Sequence, residues 1–321
     1  MAPMEVLGIG VAVRDVAVRL DAFPETDHKY QARELRETGG GPVPTALVTL
    51  ARLGRKVAFA GVVGDDAAGR FIEEGLRSEA IDVGGVVRRE GFASPSSVIV
   101  VENGRRTILE YSQYDLPLSL AELEASGVRL EGHAAFLADA RLVEIQMEVA
   151  RRVRASGGLV VLDVGHPRAG VDDLLGLTDI AILSHSFPEA THGKDYDAEE
   201  FLARLWERLP EGGPRVAGLT LGEQGCALYT RADGFVLVPG HPVKAVDSTG
   251  AGDVFHGAFV HALLNGDSVV ESARFANAAA ALSCGGMSGR FPLPAEAEIR
   301  RFARSPALPG GDRLADGKED S

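Results

Sequence analysis

Short apolar runs alternate with helix-like segments along most of the chain, and this alternation limits the folds open to it. The predicted strands cover residues 6–13, 57–63, 135–138, 159–162, 180–183 and 216–221. Strands separated by helices favour a parallel sheet, because each crossover helix returns the chain to the same end of the sheet. We therefore predict an α/β fold with a mostly parallel sheet and helices on both faces.

Two of the intervening helices carry clear end signals. Residues 42–53 place apolar side chains on one helical stripe, and Gly54 follows as a C-cap. A second helix is predicted over residues 67–78. Asp65 and Asp66 precede it, and we interpret both as capping residues.

Two stretches break the alternation, at residues 14–36 and 93–113. The first is turn-rich, and the second holds two strand-like runs around Asn103 and Gly104, which is a hairpin signal. Small strands outside the main pattern suggest a lid over the edge of the sheet. We expect residues 1–304 to form one domain that includes this lid. Residues 305–321 are rich in Pro, Gly and charge, and we predict a disordered tail.

Composition excludes several classes of protein. The net charge of −13 disfavours nucleic acid or an anionic membrane as the main partner, since both require dense basic patches. Two cysteines are too few for a disulfide framework, and no uncharged apolar run approaches the ~18 residues of a membrane span. We expect a cytoplasmic protein.

One motif near the C-terminus suits phosphoryl transfer. Gly250, Ala251, Gly252 and Asp253 precede an apolar helical segment at residues 254–264, and we expect a strand end before the turn. Free N–H groups at a helix start attract anions, so the glycine turn can hold a phosphate. Asp253 can then accept the proton of an attacking hydroxyl. A plain helix cap is the alternative interpretation.

Three other segments are also candidates for ligand binding, and each has an alternative structural interpretation. The run Gly39–Pro42 can bring the backbone against a ligand or act as a hinge, and Asp15 can bind hydroxyls or form a strand-end turn. Residues 220–225 can approach nucleotide phosphates or simply reverse the chain. The third glycine of a dinucleotide loop is replaced by Val13, and no GxxxxGK[ST] segment occurs, so ATP would be bound in another way.

Together these residues resemble the ribokinase (PfkB) family of carbohydrate kinases, over residues 6–294. The run from Asp247 to Gly257 is similar to the DTGAGD signature of the family, with Ser248 at the second position. Gly40 and Gly41, with residues 51–54 and 61–69, resemble the other signature. The resemblance implies a ribokinase-like three-layer sandwich with a small β-sheet lid. Within the family the chain looks most similar to 6-deoxy-6-sulfofructose kinases and ketohexose kinases.

The resemblance also implies roles for individual residues. Asp253 is the expected catalytic base, and Gly250, Ala251 and Gly252 form the expected anion hole. The positions expected near ATP are Thr220, Gly222, Gly225 and Asn277. The positions expected to hold the sugar are Asp15, Gly40, Gly41 and Thr45.

Three further positions bear on the charge of the acceptor. In sulfofructose kinases a Lys, an Asn and an Arg meet the sulfonate, and Lys29 and Arg141 fall at the Lys and Arg positions. Glu110 replaces the Asn. A carboxylate there would repel a sulfonate or a phosphate, and it can accept sugar hydroxyls or neutralise the two cations.

The resemblance implies two metal ions beside ATP. Residues 186–189 occupy the place of the NxxE motif that helps organise Mg²⁺ and phosphate, so the resemblance implies an indirect role for Glu189 on Mg²⁺. Ser186 departs from the motif, because it stands in the place of the Asn. A monovalent cation such as K⁺ is expected beside Asp247 and Thr249.

The expected function is Mg²⁺-dependent transfer of the ATP γ-phosphoryl group to a primary hydroxyl of a ketohexose-like sugar, of the fructose or sulfofructose type. The family also leads us to expect a homodimer joined through the lids. A nucleoside or small-polyol kinase of the same fold is one alternative. A non-catalytic sugar or nucleotide sensor is another.

Overall fold

The computed structural model describes residues 4–111, 118–210 and 213–305. Nearly all of the predicted disordered tail lies outside these residues. In chain order the strands are β1 Val6–Ile9, β2 Val13–Arg19, β3 Glu34–Gly40, β4 Val57–Gly64, β5 Asp82–Arg89, β6 Ser96–Glu102, β7 Arg105–Tyr111, β8 Ala135–Ala138, β9 Leu159–Val164, β10 Ile180–Ser184, β11 Val216–Thr220, β12 Gly225–Thr230 and β13 Gly234–Pro239.

The helices lie between these strands and after them. They are α1 Pro42–Arg52, α2 Ala67–Ser78, α3 Leu120–Ser126, α4 Val143–Ala155, α5 Val171–Leu175, α6 Ser186–His192, α7 Ala198–Arg208, α8 Ala251–Leu264, α9 Val269–Ser283 and α10 Glu296–Ala303. Within the described ranges, no helix is long and apolar enough to cross a membrane.

The larger sheet of the described residues has nine strands in the order β13-β12-β11-β10-β9-β8-β1-β4-β5. Its strands are parallel from β11 through β5, and β12 and β13 join antiparallel at one edge. Helices cover both faces, because neighbouring strand residues enter different apolar clusters. Val6 belongs to a cluster that includes residues of α1, α8 and α9, whereas Leu7 belongs to a cluster that includes residues of α4 and α7. The three-layer α/β prediction is confirmed.

The predicted strand over residues 6–13 is wrong, because two elements share it. β1 ends at Ile9, and β2 begins at Val13 in the second sheet. The carboxylate of Asp139 explains the break, since its Oδ2 accepts a hydrogen bond of 3.1 Å from Val11 N and a Cβ at Gly10 would collide with it. The chain therefore leaves the main sheet at Gly10.

The second sheet has four strands in the order β3-β2-β6-β7 and forms the predicted lid. Asn103 and Gly104 have φ values of 47° and 76°, which fits the tight hairpin between β6 and β7. The tip of this hairpin reaches the main body, where Gly104 forms an isolated bridge with Asp247. The lid therefore covers the edge at which the parallel strands end.

Helices α1 and α8 bring two glycine-rich turns together. A Cβ at Gly257 would collide with the carbonyl oxygen of Ala46, so the two helices pack at a distance that only glycine permits. α1 begins directly after Gly41, and α8 begins directly after Gly250. This close packing fixes the two turns relative to each other below the lid.

Candidate active site

A cleft of about 1660 Å³ lies between the inner face of the lid and the carboxyl ends of the parallel strands. Single-ligand sites typically measure ~300–1,000 Å³, so this volume is sufficient for two substrates side by side. The cleft is where open α/β sheets bind ligands, at the carboxyl ends of the parallel strands.

The start of α8 forms the floor of this cleft. Gly250 is the N-cap, with φ of 72°, and a Cβ on it would lie 2.6 Å from the Cα of Gly289. The predicted anion-hole residues Gly250, Ala251 and Gly252 all line the cleft. The first N–H groups of a helix have no partner within the helix, so this turn presents donors to an anion. The expected strand end before the turn is absent, and the Asp247–Gly104 bridge holds the segment instead.

Asp253 stands in the first turn of α8 and also lines the cleft. Among the described residues no group donates a hydrogen bond to its carboxylate, so it does not act as a cap. Burial raises the pKa of Asp253 to about 7, and the negative charge of Asp163 adds to this rise. The positive charges of His256 and Arg106 oppose the rise. The result is a carboxylate poised to exchange a proton near neutral pH.

His256 and Asp163 lie directly behind this turn. The His256 ring is buried, with Nδ1 2.8 Å from the carbonyl oxygen of Gly252 and 3.3 Å from Asp163 Oδ2, while Nε2 lies 3.0 Å from the carbonyl oxygen of Ile182. Each ring nitrogen therefore faces a backbone carbonyl oxygen. His256 therefore links the glycine turn to the ends of β9 and β10.

Asp15 faces the cleft from β2 of the lid. Its Oδ1 accepts a hydrogen bond of 2.7 Å from Ser97 Oγ, and a Cβ at Gly40 would collide with its Oδ2. Burial raises the pKa of Asp15 to about 6, whereas Ser97 and Arg290 act to lower it. Gly40, Gly41 and Thr45 line the same part of the cleft, so the predicted sugar-binding residues of the lid and α1 come together.

Two of the three positions that bear on acceptor charge meet in the structure. Arg141 Nη1 lies 3.2 Å from Glu110 Oε1, and both side chains line the cleft. Lys29 does not join them, because it is exposed on the loop between β2 and β3 and is not among the residues that line the cleft. The three residues therefore do not form one cationic pocket.

The residues expected near ATP gather at the other end of the cleft. Gly222 and Gly225 have φ values of 60° and 99° and flank a short 3₁₀ turn that follows Thr220, the last residue of β11. Asn277 on α9 donates hydrogen bonds to the carbonyl oxygens of Val238 (3.0 Å) and Pro239 (3.1 Å). Thr220, Gly222, Gly225 and Asn277 all line the cleft. This turn leaves backbone exposed, as a nucleotide site requires.

The predicted metal-binding residues do not all line the cleft. Glu189 lies in the first turn of α6 but does not line the cleft, although Ser186 does. Among the described residues no group of three or more His, Cys, Asp or Glu side chains could hold a metal ion. Kinases commonly bind Mg²⁺ through phosphates and one or two carboxylates, so a nucleotide would complete such a site.

Asp247 is fully buried and holds two loops together. Its carboxylate accepts hydrogen bonds from Thr249 N (2.8 Å), Thr249 Oγ1 (2.6 Å) and Ser288 N (2.9 Å). A carboxylate has about four acceptor positions, so three are used within the chain. Its main role in the described structure is to brace the turn that carries the anion hole.

Arg106 is a site residue that the sequence did not reveal. It projects from β7 of the lid, and its Nη1 donates a hydrogen bond of 2.9 Å to Ser248 Oγ in the glycine turn. Its charge acts to lower the pKa of Asp253. A single arginine on an exposed strand belongs to no sequence motif. Only the contact between the lid and the turn before α8 shows that Arg106 lies in the site.

Comparison with protein-family models matches residues 5–296 to the model described as pfkB family carbohydrate kinase. The chain belongs to this family. The pfkB kinases are phosphotransferases with an alcohol group as acceptor, so this chain is an enzyme of that class. Both the predicted family and the predicted type of reaction are confirmed.

Individual relatives within the pfkB family extend over most of the chain. Fructokinase-1 of Zea mays is 29% identical over 292 residues, which cover 83% of this chain and 88% of the relative. A ribokinase of Haemophilus influenzae is 28% identical and covers 92% of this chain and 96% of its own. The crystal structure of a putative ribokinase from Agrobacterium tumefaciens superposes with a TM-score of 0.82 at 27% identity, covering 94% and 97% of the two chains. The ribokinase-like fold is confirmed.

Proposed function

We propose that this pfkB kinase transfers the γ-phosphoryl group of ATP to a primary hydroxyl of a ketohexose-like sugar, of the fructose type. The observation that carries the proposal is the position of Asp253. It lies in one cleft with the exposed N–H groups of the α8 start and with the lid carboxylate Asp15. A base, an anion hole and a hydroxyl-binding carboxylate are the groups that such a transfer needs.

Each of these groups has a separate role in the proposed reaction. Asp253 accepts the proton of the acceptor hydroxyl as that oxygen attacks the γ-phosphorus. The N–H groups of Gly250–Gly252 stabilise the charge on the transferred group, and Arg106 adds a positive charge from the lid. Because Arg106 belongs to the lid and contacts the glycine turn, the position of the lid and the charge stabilisation are coupled.

The same proposal assigns binding positions to ATP and its metal ions. The adenosine end lies along Thr220, Gly222, Gly225 and Asn277. Glu189 on α6 would orient Mg²⁺ indirectly, and the ion would neutralise part of the charge of the phosphates. A monovalent cation is proposed beside Asp247 and Thr249, where one carboxylate acceptor position remains.

The pair of Glu110 and Arg141 supports an uncharged acceptor. Arg141 is a cation on the acceptor side of the cleft, and Glu110 lies 3.2 Å from it. An anionic group on the sugar would have to displace or approach this carboxylate, which is unfavourable. Hydroxyl groups, in contrast, can donate to Glu110 and Asp15. This geometry favours fructose over sulfofructose or a sugar phosphate.

Few Phe, Tyr or Trp side chains in the described cleft lining could support a nucleoside acceptor. Nucleobases are commonly held by stacking on aromatic side chains. Among the described residues that line the cleft, Phe255 is the only Phe, Tyr or Trp, and it is buried in α8. Tyr30 and Tyr111 lie outside the cleft.

We also propose a homodimer through the outer face of the lid. Val98 and Leu109 are neighbours on this face, and 43% and 61% of their surfaces are exposed; Leu35 and Tyr111 are 65% and 60% exposed. The opposite face of the same sheet carries Asp15 and closes the cleft. An apolar sheet face of this kind is typical of an interface between copies of a chain.

An ADP-release assay with a panel of acceptors tests the proposed function. The panel contains fructose, sulfofructose, fructose 6-phosphate, ribose and nucleosides, each with Mg-ATP and with or without KCl. We expect fructose to give the highest kcat/KM. No release above the ATP-only rate for any acceptor would refute the proposed function, and a preference for an anionic sugar would refute the uncharged acceptor.

One variant sharpens the acceptor question. Glu110→Gln removes the negative charge and releases Arg141 from its ion pair, so the ratio of kcat/KM for anionic over neutral sugars should rise about tenfold or more. Glu37→Gln is the matched control, because Glu37 is also a lid carboxylate paired with an arginine, Arg14. An unchanged ratio in Glu110→Gln would contradict the role assigned to the pair.

A further inference from the structure

Arg290 is a buried arginine in the loop between α9 and α10. Only 8% of its surface is exposed, and its Nη2 donates a hydrogen bond of 3.2 Å to the carbonyl oxygen of Gly40 in the lid. A Cβ at Gly39 would collide with its Nη1, just as a Cβ at Gly40 would collide with Asp15. The two glycines that end β3 are thus packed against two opposite charges.

The positive charge of Arg290 interacts with the carboxylates of Asp15, Glu79 and Asp253. Burial lowers the pKa of Arg290 to about 10, so the guanidinium remains charged at neutral pH. The negative charge of Asp15 is the strongest influence that opposes this change, and Glu79 and Asp253 follow. Within the described part of the chain, no carboxylate lies within 4 Å of its nitrogens, and its buried Nε has no hydrogen-bond partner.

The loop that carries Arg290 is fixed from two sides. Arg52 donates hydrogen bonds to the carbonyl oxygens of Arg290 (2.9 Å) and Phe291 (3.2 Å) and is itself paired with Glu79. Ser288, two residues earlier, has φ of 90°, which is an unfavourable conformation for a residue other than glycine. Such backbone strain persists only where the surroundings hold it, and it is concentrated at functional sites.

We infer that Arg290 is a positioning residue of the acceptor site, which holds the Gly39–Gly40 segment in place and sets a positive charge near Asp15, the carboxylate that accepts hydrogen bonds from the acceptor hydroxyls. Arg290 does not line the cleft, so it acts through these groups and not on the acceptor itself. The inference rests on the proposed sugar kinase function.

The charges around Asp15 show why this role falls to Arg290. Asp15 faces the hydroxyl of Ser97 on β6 and the carboxylate of Glu110 on β7. It also faces Asp247 from the loop before α8 and Asp253 from α8 itself. The carboxylates of Glu110 and Asp247 raise the proton affinity of Asp15, and Asp15 in turn raises that of Asp253. The positive charge of Arg290 opposes the effect of Glu110 and Asp247 on Asp15.

The test compares the pH dependence of acceptor KM in the wild type and in Arg290→Gln. The wild-type KM should rise as the pH falls through about 6, because protonated Asp15 no longer accepts two hydroxyl hydrogen bonds. Gln retains a donor for Gly40 but removes the charge. The rise in KM should then begin about one pH unit higher, with acceptor KM at pH 7 raised about three- to tenfold and kcat above about pH 8.5 changed less than about twofold.

Two further variants separate charge from packing. Arg290→Lys keeps the charge and should restore most of the wild-type pH profile. Gly39→Ala displaces the guanidinium without removing it and should raise acceptor KM even if Arg290→Gln does not fold. Arg55→Gln, at a similarly buried arginine remote from the cleft, controls for lost stability, and Gly75→Ala, where the added methyl meets open space, controls for the alanine change.

The outcomes separate this inference from the proposed function. If no sugar raises ADP release by the wild type above the ATP-only rate, the proposed function fails. If the wild type is active but the KM profiles of Arg290→Gln and Gly39→Ala coincide with it, the inference about Arg290 is overturned and the kinase remains. Titration calorimetry of the acceptor at pH 6 and pH 8 supplies a readout that needs no turnover, and equal affinity ratios in all variants would also overturn the inference.

Discussion

Asp253 and Asp15 face each other across the cleft, and burial raises the pKa of both carboxyl groups. The pKa of Asp253 is about 7 and that of Asp15 is about 6, because Asp163 adds a negative charge near Asp253 whereas Ser97 and Arg290 stabilise the ionised form of Asp15. At neutral pH, Asp15 is therefore mostly ionised, and Asp253 exchanges a proton readily. This difference matches the two proposed roles, which are hydrogen-bond acceptor and general base.

The raised pKa of Asp253 predicts a specific pH dependence. A base works only when deprotonated, so kcat should rise with pH through about 7 and level off above it. Arg106→Gln removes a charge that lowers this pKa, so the same rise should move to higher pH. Steady-state kinetics at saturating ATP and sugar give both profiles. A kcat that is constant from about pH 5.5 to about pH 8.5, or that falls over this range, would contradict the assignment.

The residues that could be predicted from the sequence are those that stand in a local run. Asp253 lies in a glycine turn, and Gly40 and Gly41 precede a helix, so neighbours along the chain reveal them. Ser97 and Arg106 acquire their roles from contacts 82 and 142 residues away. Such long-range contacts leave no mark on a single sequence.

At the scale of elements, the caps decide how accurately a helix is predicted. The prediction of a helix over residues 67–78 is confirmed residue for residue, because Asp66 accepts a hydrogen bond of 2.7 Å from Gly69 N and thereby fixes the first turn. The strand over residues 6–13 is wrong because Asp139, a residue far along the chain, diverts the backbone at Gly10. Local sequence signals such as caps define where a helix or strand ends, and tertiary contacts can shift that position.

The outer face of the lid sheet is the proposed interface between two copies of the chain. Leu109→Lys places a charge in the centre of this apolar face, so a dimer formed there should dissociate into monomers of 33.8 kDa. Sedimentation velocity measures the change, and Phe92→Lys, at a partly exposed apolar residue outside the lid strands, is the control. A wild type that stays monomeric at tens of micromolar, or a Leu109→Lys variant that stays dimeric, would contradict the proposed interface.

At the scale of the whole molecule, the architecture follows from the alternation of strands and helices, and the position of the cleft follows from the architecture. Parallel strands end at one edge, and the lid returns across that edge through the Gly104–Asp247 bridge. The choice of acceptor does not follow in the same way, because it depends on whether Glu110 and Arg141 meet. Their spacing of 31 residues in sequence and 3.2 Å in space could be read only from the structure.

The turnover of Asp253→Asn tests the central claim most directly. Asn has nearly the same shape as Asp but cannot accept the proton, so kcat in the ADP-release assay with fructose should fall by about 100-fold to 10,000-fold. The melting temperature and the affinity for ATP should stay close to those of the wild type. Turnover within a few-fold of the wild type would contradict the assignment of Asp253 as the catalytic base.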